Sequence, residues 1–268
     1  FGWYLFDQSP YVPFVVLGQE GVWLKENTDV ISGDVAANIA SERPYLTDQS
    51  EVTIGQDVQF MDPSSRVMGD TVYLKQGSKV YEIYANELKG RGQILGVNHT
   101  PLELPLVPQL PIVPNVNPGT KNFDLKKNST LTLDAGSYGK LETKKGATIT
   151  FTGGVYHFTE WSLGDDVKVY FTAPTEIRIA SKLDIGSDAF IGPATGADLT
   201  ARNILIYVMG ENGKNGKISA SPKAANFGMR STLIANVYTP NGTLWIHERL
   251  TATGAFFGKW VEIGQNVT

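Results

Sequence analysis

The sequence predicts an all-β fold, a β-solenoid in which short strands coil into a stack, and three observations support this prediction. First, 28 of the 268 residues are glycine, and glycine spread this densely suits turns between short strands better than long helices. Second, apolar residues alternate in short bursts, which is the period-2 pattern of half-buried strands. Third, similar turn sequences recur about every 18–22 residues, the length of one coil with three strands and three corners.

The alternating bursts run through the second half of the chain. They include "TITFT" (148–152), "VKVYF" (167–171), "TEIRIA" (175–180) and "NILIYV" (203–208), each with apolar side chains on one face. Only 34–43 and 81–89 could hold a helical turn. The pattern therefore predicts a chain that is almost entirely β.

The recurring turn has the form apolar–Gly–polar–Asp/Asn–apolar. Glycine accepts positive φ at a tight corner, and Asp or Asn tolerates the left-handed region while bonding nearby backbone. We therefore expect Asp57, Asp166, Asp188 and Asn266 to occupy equivalent corners of successive coils. Glycines spaced 22 residues apart, as at positions 33, 55 and 77, fit the same interval. A β-sandwich, which also turns every 8–12 residues, is the alternative fold.

A proline-rich segment divides the chain. Residues 100–119 hold six of the fourteen prolines, so this stretch is expected to form extended, polyproline-like chain packed along a surface. The predicted organisation is listed in chain order: an aromatic arm (1–14), a first solenoid section (15–97), a proline-rich strap (98–121), and a second solenoid section (122–268) with a long loop at 209–228.

Both ends of the chain raise the same question. The arm carries six aromatic residues: Phe1, Trp3, Tyr4, Phe6, Tyr11 and Phe14. It either caps the first coil of its own chain or docks on a neighbouring chain. At the other end, "VEIGQNVT" (261–268) begins a corner-and-strand unit and stops after two strand residues. Either the natural chain continues past Thr268, or an exposed strand end awaits a partner.

Composition excludes several classes of partner. Twenty-three Lys and Arg against 27 Asp and Glu give a net charge of −4, which argues against binding nucleic acid. The absence of cysteine excludes disulfides and thiolate metal sites. No apolar run approaches the ~18–20 residues of a membrane helix, and a start at Phe1 rather than Met suggests a processed or trimmed chain.

The adjacent acids Asp165 and Asp166 resemble the catalytic pair of sugar-cleaving solenoids, but they fit better as one copy of the recurring corner. The Gly-His-Gly sequence and third acid that accompany such a pair are missing nearby. A calcium site at Asp165, Asp166 and Asp188 stays open as an alternative. Three scattered histidines form no zinc pattern, so we expect no enzyme activity and no cofactor.

Three longer stretches resemble bacterial secreted and cell-surface β-solenoid proteins: residues 131–158, 173–186 and 236–267. "VISGDV" (30–35) and "VTIGQDV" (52–58) are similar, over a short length, to bactofilin-type polymer-forming repeats. The resemblance implies a secreted or surface location, a structural or adhesive role, and no catalytic motif.

The sequence therefore predicts a non-enzymatic structural protein whose partner is itself, assembled head to tail into a surface fibre. The predicted contact joins the aromatic arm to Trp260, Val261 and Ile263 of the last coil. The alternative is an adhesin or carbohydrate-binding solenoid, in which Tyr156, Trp161 and Trp245 stack on the sugar rings of a surface polysaccharide.

Overall fold

A computed structural model describes residues 13–41 and 49–268, which form short strands joined by tight turns. The only helix in these residues is one 3-10 turn, Ala201–Asn203. The strands, in order, are β1 (Phe14–Leu24), β2 (Asp29–Val30), β3 (Asp34–Ala37), β4 (Val52–Ile54), β5 (Gln59–Phe60), β6 (Arg66–Leu74), β7 (Lys79–Val80), β8 (Glu82–Gly90), β9 (Gln93–Ile94), β10 (Asn98–His99), β11 (Phe123–Leu125), β12 (Thr130–Leu133), β13 (Gly136–Ser137), β14 (Lys140–Thr143), β15 (Thr148–Phe151), β16 (Gly154–Phe158), β17 (Glu160–Leu163), β18 (Lys168–Phe171), β19 (Thr175–Ile179), β20 (Leu183–Ile185), β21 (Phe190–Pro193), β22 (Ile204–Val208), β23 (Ala225–Phe227), β24 (Thr232–Ile234), β25 (Asn236–Ile246), β26 (Thr251–Thr253) and β27 (Phe256–Ile263).

The strands stack on three faces, and the strand pairings are parallel. Face 1 runs β11-β14-β17-β20-β23-β25-β27-β1-β4-β6-β8. Face 2 consists of β12-β15-β18-β21-β24-β26 followed by β2-β5-β7-β9. Face 3 runs β13-β16-β19-β22-β25-β27-β1-β3-β6-β8-β10. The long strands β1, β6, β8, β25 and β27 turn a corner and contribute one half to face 1 and the other to face 3. Chain that winds over three parallel faces is a β-solenoid, so the predicted fold class is confirmed.

The order of the coils along the stack differs from their order in the sequence. Strand β27 pairs with β25 on one side and with β1 on the other. The second solenoid section therefore continues directly into the first, and segments near the two ends of the sequence meet inside the stack. Counted from the β11 end, coil 1 contains β11–β13. Coil 7 combines the end of β27 and Thr268 with the start of β1, and coil 11 contains the end of β8 with β9 and β10.

The corner between faces 1 and 2 repeats through ten coils. At each corner one residue has a φ between 55° and 78°, in the left-handed region. Its backbone N–H donates to the next coil's corner in nine consecutive steps, including Asn266 to Glu26 across the junction of the two sections. In stack order these residues are Asn128, Gly146, Asp166, Asp188, Arg230, Arg249, Asn266, Asn27, Asp57 and Gly77.

The four corners predicted from the sequence all belong to this column, but the expected role of glycine is wrong. Asp166, not Gly164, holds the positive φ. Gly164 and Gly186 are required instead by close stacking, since a Cβ on Gly186 would lie 2.6 Å from the backbone N of Asp165. The 22-residue series at 33, 55 and 77 is also coincidental. Gly77 is itself the left-handed corner residue of its coil, whereas Gly55 lies two residues before the corner residue of its own coil.

The interior is a continuous apolar column that spans both sections. Aromatic rings fill it between coils 2 and 3, where the Phe151 ring centroid lies 5.5 Å from Trp161 and 5.4 Å from Phe171, both stacked. Because each coil buries its apolar residues only against its neighbours, stability accumulates along the stack.

The proline-rich strap runs back along the outside of face 3, from coil 11 to coil 1. The side chain of Asn38 bonds both the N–H and the C=O of Val107, at 2.8 and 3.2 Å. Further on, Arg178 bonds the Asn115 carbonyl at 3.0 Å, and the N–H of Gly119 bonds the Tyr138 carbonyl. The strap's leucines and valines cover a second apolar cluster on face 3: Leu17, Met68, Leu205, Tyr207, Tyr238 and Phe257.

Three local predictions need correction. The sequence allows a helical turn at 34–43 and at 81–89, but Asp34–Ala37 form β3 and Glu82–Gly90 form β8. Strand β10 lies inside the range assigned to the strap, and β23 lies inside the loop assigned to 209–228. In both cases a strand of only two or three residues completes a coil, and a strand this short gives little alternation to detect.

Candidate functional site

The two ends of the stack are the first candidate surface. In the described residues, β11, β12 and β13 pair only on the side of coil 2, and β9 and β10 pair only on the side of coil 10. Each end therefore presents backbone N–H and C=O groups of a parallel edge without a strand beside them.

Coil 11 also exposes apolar side chains. Leu88, Leu95 and Val97 are 38%, 45% and 52% exposed, and they make up half of the six large hydrophobic residues that the described chain exposes. At the opposite end, Phe123, Leu131 and Tyr138 are only partly buried against the interior. Both ends thus combine an unpaired edge with apolar surface.

The second candidate surface is a row of outward side chains on face 1, in which Trp245, Glu262 and Trp23 lie in register on adjacent coils. The ammonium of Lys25 forms an ion pair with Glu262 at 2.7 Å. It also lies 4.6 Å from the Trp23 ring centroid and 5.5 Å from that of Trp245. The cation and the carboxylate therefore hold the two indole rings in place.

A groove of about 310 Å³ opens beside Trp245. Asn226 and Asp184 line it, and the Asn226 side-chain amide donates to the Asp184 carboxylate at 2.7 Å. The loop ahead of β23 forms one wall, where Pro222 and Lys223 line the groove. A half-buried aromatic ring beside amide, carboxylate and ammonium groups is an arrangement that can bind a sugar ring.

His247 packs against the Trp245 ring on this surface. Its imidazole stacks on Trp245 with ring centroids 3.8 Å apart. Burial, and then the positive charge of Lys25, lower the pKa of His247 below its usual 6.5. The imidazole is therefore neutral at pH 7, and the flat stacked pair presents no net charge from the histidine.

The residues predicted at the carboxyl-terminal end of the self-assembly contact are not at an end of the stack. Trp260, Val261 and Ile263 are buried within the chain, because β27 lies between β25 and β1. Their assignment to an intermolecular surface is wrong. Phe14, from the aromatic arm, is also buried, in the cluster beneath the strap. Phe1, Trp3, Tyr4, Phe6 and Tyr11 lie outside the described residues.

Two of the three predicted sugar-stacking residues are also misplaced. Tyr156 and Trp161 are fully buried. The Tyr156 hydroxyl donates to the Leu133 carbonyl at 2.8 Å, and the Trp161 ring packs against Phe151 and Phe158. Trp245 alone reaches the surface. The residues that contact Trp245 or lie in its row on face 1, Trp23, Lys25 and His247, were missed, although "VWLK" and "TLWIH" share the signal of a tryptophan between two inward-facing residues.

The acidic residues at the corners act as structural groups. Asp165 accepts a hydrogen bond from the Ser187 N–H at 2.9 Å, and Asp188 forms a two-bond ion pair with Arg230 at 2.8 Å. Among residues 13–41 and 49–268 there is no group of three His, Cys, Asp or Glu side chains that could hold a metal ion. The calcium alternative at Asp165, Asp166 and Asp188 therefore has no support in the structure.

No family model matches the chain, and comparisons with curated proteins and with solved structures gave no match either. In the described residues, none of the helical structure is long and apolar enough to cross a membrane.

Proposed function

We propose that this chain is a non-enzymatic structural β-solenoid that associates end to end, coil 11 of one copy against coil 1 of the next. The observation that carries this proposal is the uncovered state of both end coils among the described residues. The proposed setting is the cell surface or the secreted space, where a rod of this kind serves a mechanical task.

Two physical terms favour association at these ends. A parallel edge strand gains a full set of ladder hydrogen bonds when a second strand pairs with it. Covering apolar side chains adds about 25 cal/mol per Å² of apolar area removed from water. Because the two ends of the stack are different surfaces, contact between them is head to tail, does not close on itself and produces a fibre.

Negative-stain electron microscopy and analytical ultracentrifugation over a range of concentrations test the proposal. We expect the wild-type protein to form linear assemblies, with a repeat close to the length of one stack. The double variant Leu95→Asp/Val97→Asp should remain monomeric, because it buries two charges at the contact.

Met61→Asp is the matched control, since Met61 is as exposed as Val97, at 52%, but lies on face 2 in coil 9. Assembly by this control and not by the double variant would support the end contact. Monomers of the wild-type protein at every concentration, or unchanged assembly of the double variant, would contradict it.

The groove beside Trp245 favours a second candidate function, recognition of a surface polysaccharide. A glycan array probed with the wild-type protein and with Trp245→Ala tests this candidate. Binding that the substitution removes would establish it, with Trp23→Ala as the second ring to test. No binding to any glycan, or binding that survives Trp245→Ala, would exclude this groove as a sugar site.

A further inference from the structure

Face 1 carries a row of outward side chains that lie in register across coils 6 to 10. In stack order the row is Trp245, Glu262, Trp23, Thr53 and Tyr73, and each neighbouring pair is one coil apart. All five positions lie on strands of the described chain. Aromatic rings therefore occur at every second coil, with a carboxylate or a hydroxyl between them. We call this set the aromatic row.

The rings of the aromatic row are more exposed than the residues between them. Trp245, Trp23 and Tyr73 are each partly exposed, whereas Thr53 and Glu262 are 1% and 6% exposed. The indole N–H of Trp23 is buried and has no hydrogen-bond partner among the described residues, so the exposed part of this ring is carbon. The row therefore offers separate apolar surfaces, on which the C–H faces of sugar rings can stack.

The spacing of the rings fits one class of polymer. Neighbouring strands of a sheet lie about 4.7–4.9 Å apart, so two coils separate the rings by roughly 9–10 Å. One sugar unit of an extended β-linked polysaccharide is about as long as one coil is high. Because successive sugars in such a chain are turned over, every second sugar presents the same face to one side. Rings at every second coil can therefore stack on sugars one, three and five of a chain that runs parallel to the stack.

A groove adjoins each end of the aromatic row. The groove beside Trp245 lies at the coil 6 end. A second groove, of about 590 Å³, opens beside Tyr73, where Lys75 and Gln76 also line it. The Lys75 ammonium lies 5.7 Å from the centroid of the Trp23 ring and so connects this groove to the middle of the row. Amide and ammonium groups at both ends can donate hydrogen bonds to sugar hydroxyls, while the rings bind the apolar faces of the sugars.

The charges along the aromatic row almost cancel. The ammonium of Lys25 pairs with Glu262 at 2.7 Å, and that of Lys75 lies 3.8 Å from Glu26. The charged side chains that line the two grooves or form these pairs are Lys25, Lys75, Lys182, Lys223, Arg91, Glu26, Glu160, Asp184 and Glu262. A polyanion is attracted by cations that no carboxylate offsets, so this balance favours an uncharged ligand.

We propose that the aromatic row binds one uncharged, extended β-linked polysaccharide chain, which lies along the stack with Trp245, Trp23 and Tyr73 on alternate sugars. This inference rests on the sugar recognition proposed above for Trp245 and extends it from one sugar to a chain of five. Trp245 and its walled groove anchor the first sugar. Each further ring then acts on a ligand that is already held, so its contact adds to the affinity without a second association step.

Calorimetric titration with linear β-1,4-linked glucose oligomers of one to six sugars tests the proposal. A parallel series of β-1,4-linked N-acetylglucosamine oligomers distinguishes the two uncharged forms of such a chain. We expect the affinity for one series or both to rise in steps, by about fivefold at three sugars and again at five, with little change from five to six.

Ring variants assign the steps to residues. Tyr73→Ala should remove the step at five sugars and keep the step at three, whereas Trp23→Ala should remove the step at three. Trp23→Phe and Tyr73→Phe keep a ring and should retain both steps, which separates stacking from loss of folding. Tyr170→Ala is the matched control, because Tyr170 is also a partly exposed tyrosine but lies on face 2, and its binding should equal that of the wild-type protein.

Equal affinity for three and five sugars, or a step at five that survives Tyr73→Ala, would overturn the aromatic row and leave the Trp245 groove as a site for a single sugar. Binding of none of the oligomers would overturn both. Binding of a β-1,4-linked mannuronic acid pentamer more tightly than either uncharged pentamer would overturn the assignment to an uncharged chain.

Discussion

The hydroxyl of Thr28 donates a buried hydrogen bond to the carbonyl oxygen of Gly264 at 2.8 Å, between residues 236 positions apart in the sequence. Thr28 occupies the corner position that Val267 and Val167 hold in other coils, where the side chain faces the core. The hydroxyl thus ties the first coil of one section to the last coil of the other.

Thr28→Val tests this bond. The substitution keeps the shape of the side chain but leaves the Gly264 carbonyl buried without this donor, and we expect it to lower the free energy of unfolding by about 1–2 kcal/mol. Urea unfolding measures the change. Thr28→Ser keeps the hydroxyl and should lose less. Equal stability of the wild-type protein and the Thr28→Val variant would contradict a role for the bond.

The junction also requires a glycine at position 21. A Cβ on Gly21 would lie 1.9 Å from the Trp260 ring, and overpacking of this kind costs about 1–3 kcal/mol. We expect Gly21→Ala to lower the melting temperature by several degrees in a thermal scan. Gly136→Ala is the control, because its nearest contact would be 3.4 Å. Similar melting temperatures for the two variants would show that the junction tolerates a side chain at position 21.

The left-handed corner residue Asp166 gives a third prediction. Asp166 has a φ of 56°, and a residue with a Cβ pays about 1–2 kcal/mol in this region unless its side chain compensates. Asp166→Val should therefore destabilise the protein by about 1 kcal/mol or more, while Asp166→Gly should be neutral or stabilising. Chemical unfolding compares them. Loss of stability in the glycine variant alone would show that the carboxylate itself is needed.

Stability should fall as the pH drops from 6.5 towards 5, because of His247. Its folded pKa lies below the ordinary value of 6.5, so in this window the unfolded chain binds a proton that the folded chain does not. Proton uptake then favours unfolding. His247→Phe keeps a ring against Trp245 and should reduce the difference in melting temperature between pH 7.5 and pH 5. An undiminished difference would assign the pH dependence to other groups.

The strap can be tested through its asparagine contacts. Asn38 is buried and bonds both backbone groups of Val107, whereas the exposed Asn86 makes the same pair of bonds to Leu102. Asn38→Ala should cost about 1–3 kcal/mol, since it leaves buried backbone groups unpaired, and Asn86→Ala clearly less. Unfolding together with the rate of proteolysis in 100–110 measures both effects. Equal losses for the two variants would contradict the anchoring role of Asn38.

Period-2 alternation and the recurring corner were sufficient to predict the fold class, because both are local properties of a coil. They identified four of the ten left-handed corners. Two of the other six, Arg230 and Arg249, were missed because neither residue carries a turn signal of its own, and the stacked neighbours impose its backbone conformation.

The order of the coils could not be predicted from the sequence. Whether "VEIGQNV" stacks on "TLWIH" alone or also on "GVWLK" depends on a contact between distant parts of the chain. The same contact explains the burial of one predicted site residue, Trp260. Trp260 is buried because β1 covers it. Trp161 is buried for a different reason: its side chain points inward from its strand, whereas the side chain of Trp245 points outward.

The pairing of β1 with β27 has a consequence for biosynthesis. A ribosome that adds about 5–20 residues per second needs roughly 10–50 s to proceed from Leu24 to Phe256. During that time the edge of β1 that will face β27 has no partner, although the residues of coils 8–11 have already been synthesised and can stack on one another. The nascent chain must therefore carry an open, apolar strand edge until its last coils emerge, and this interval is when it is most exposed to aggregation and to capture by chaperones.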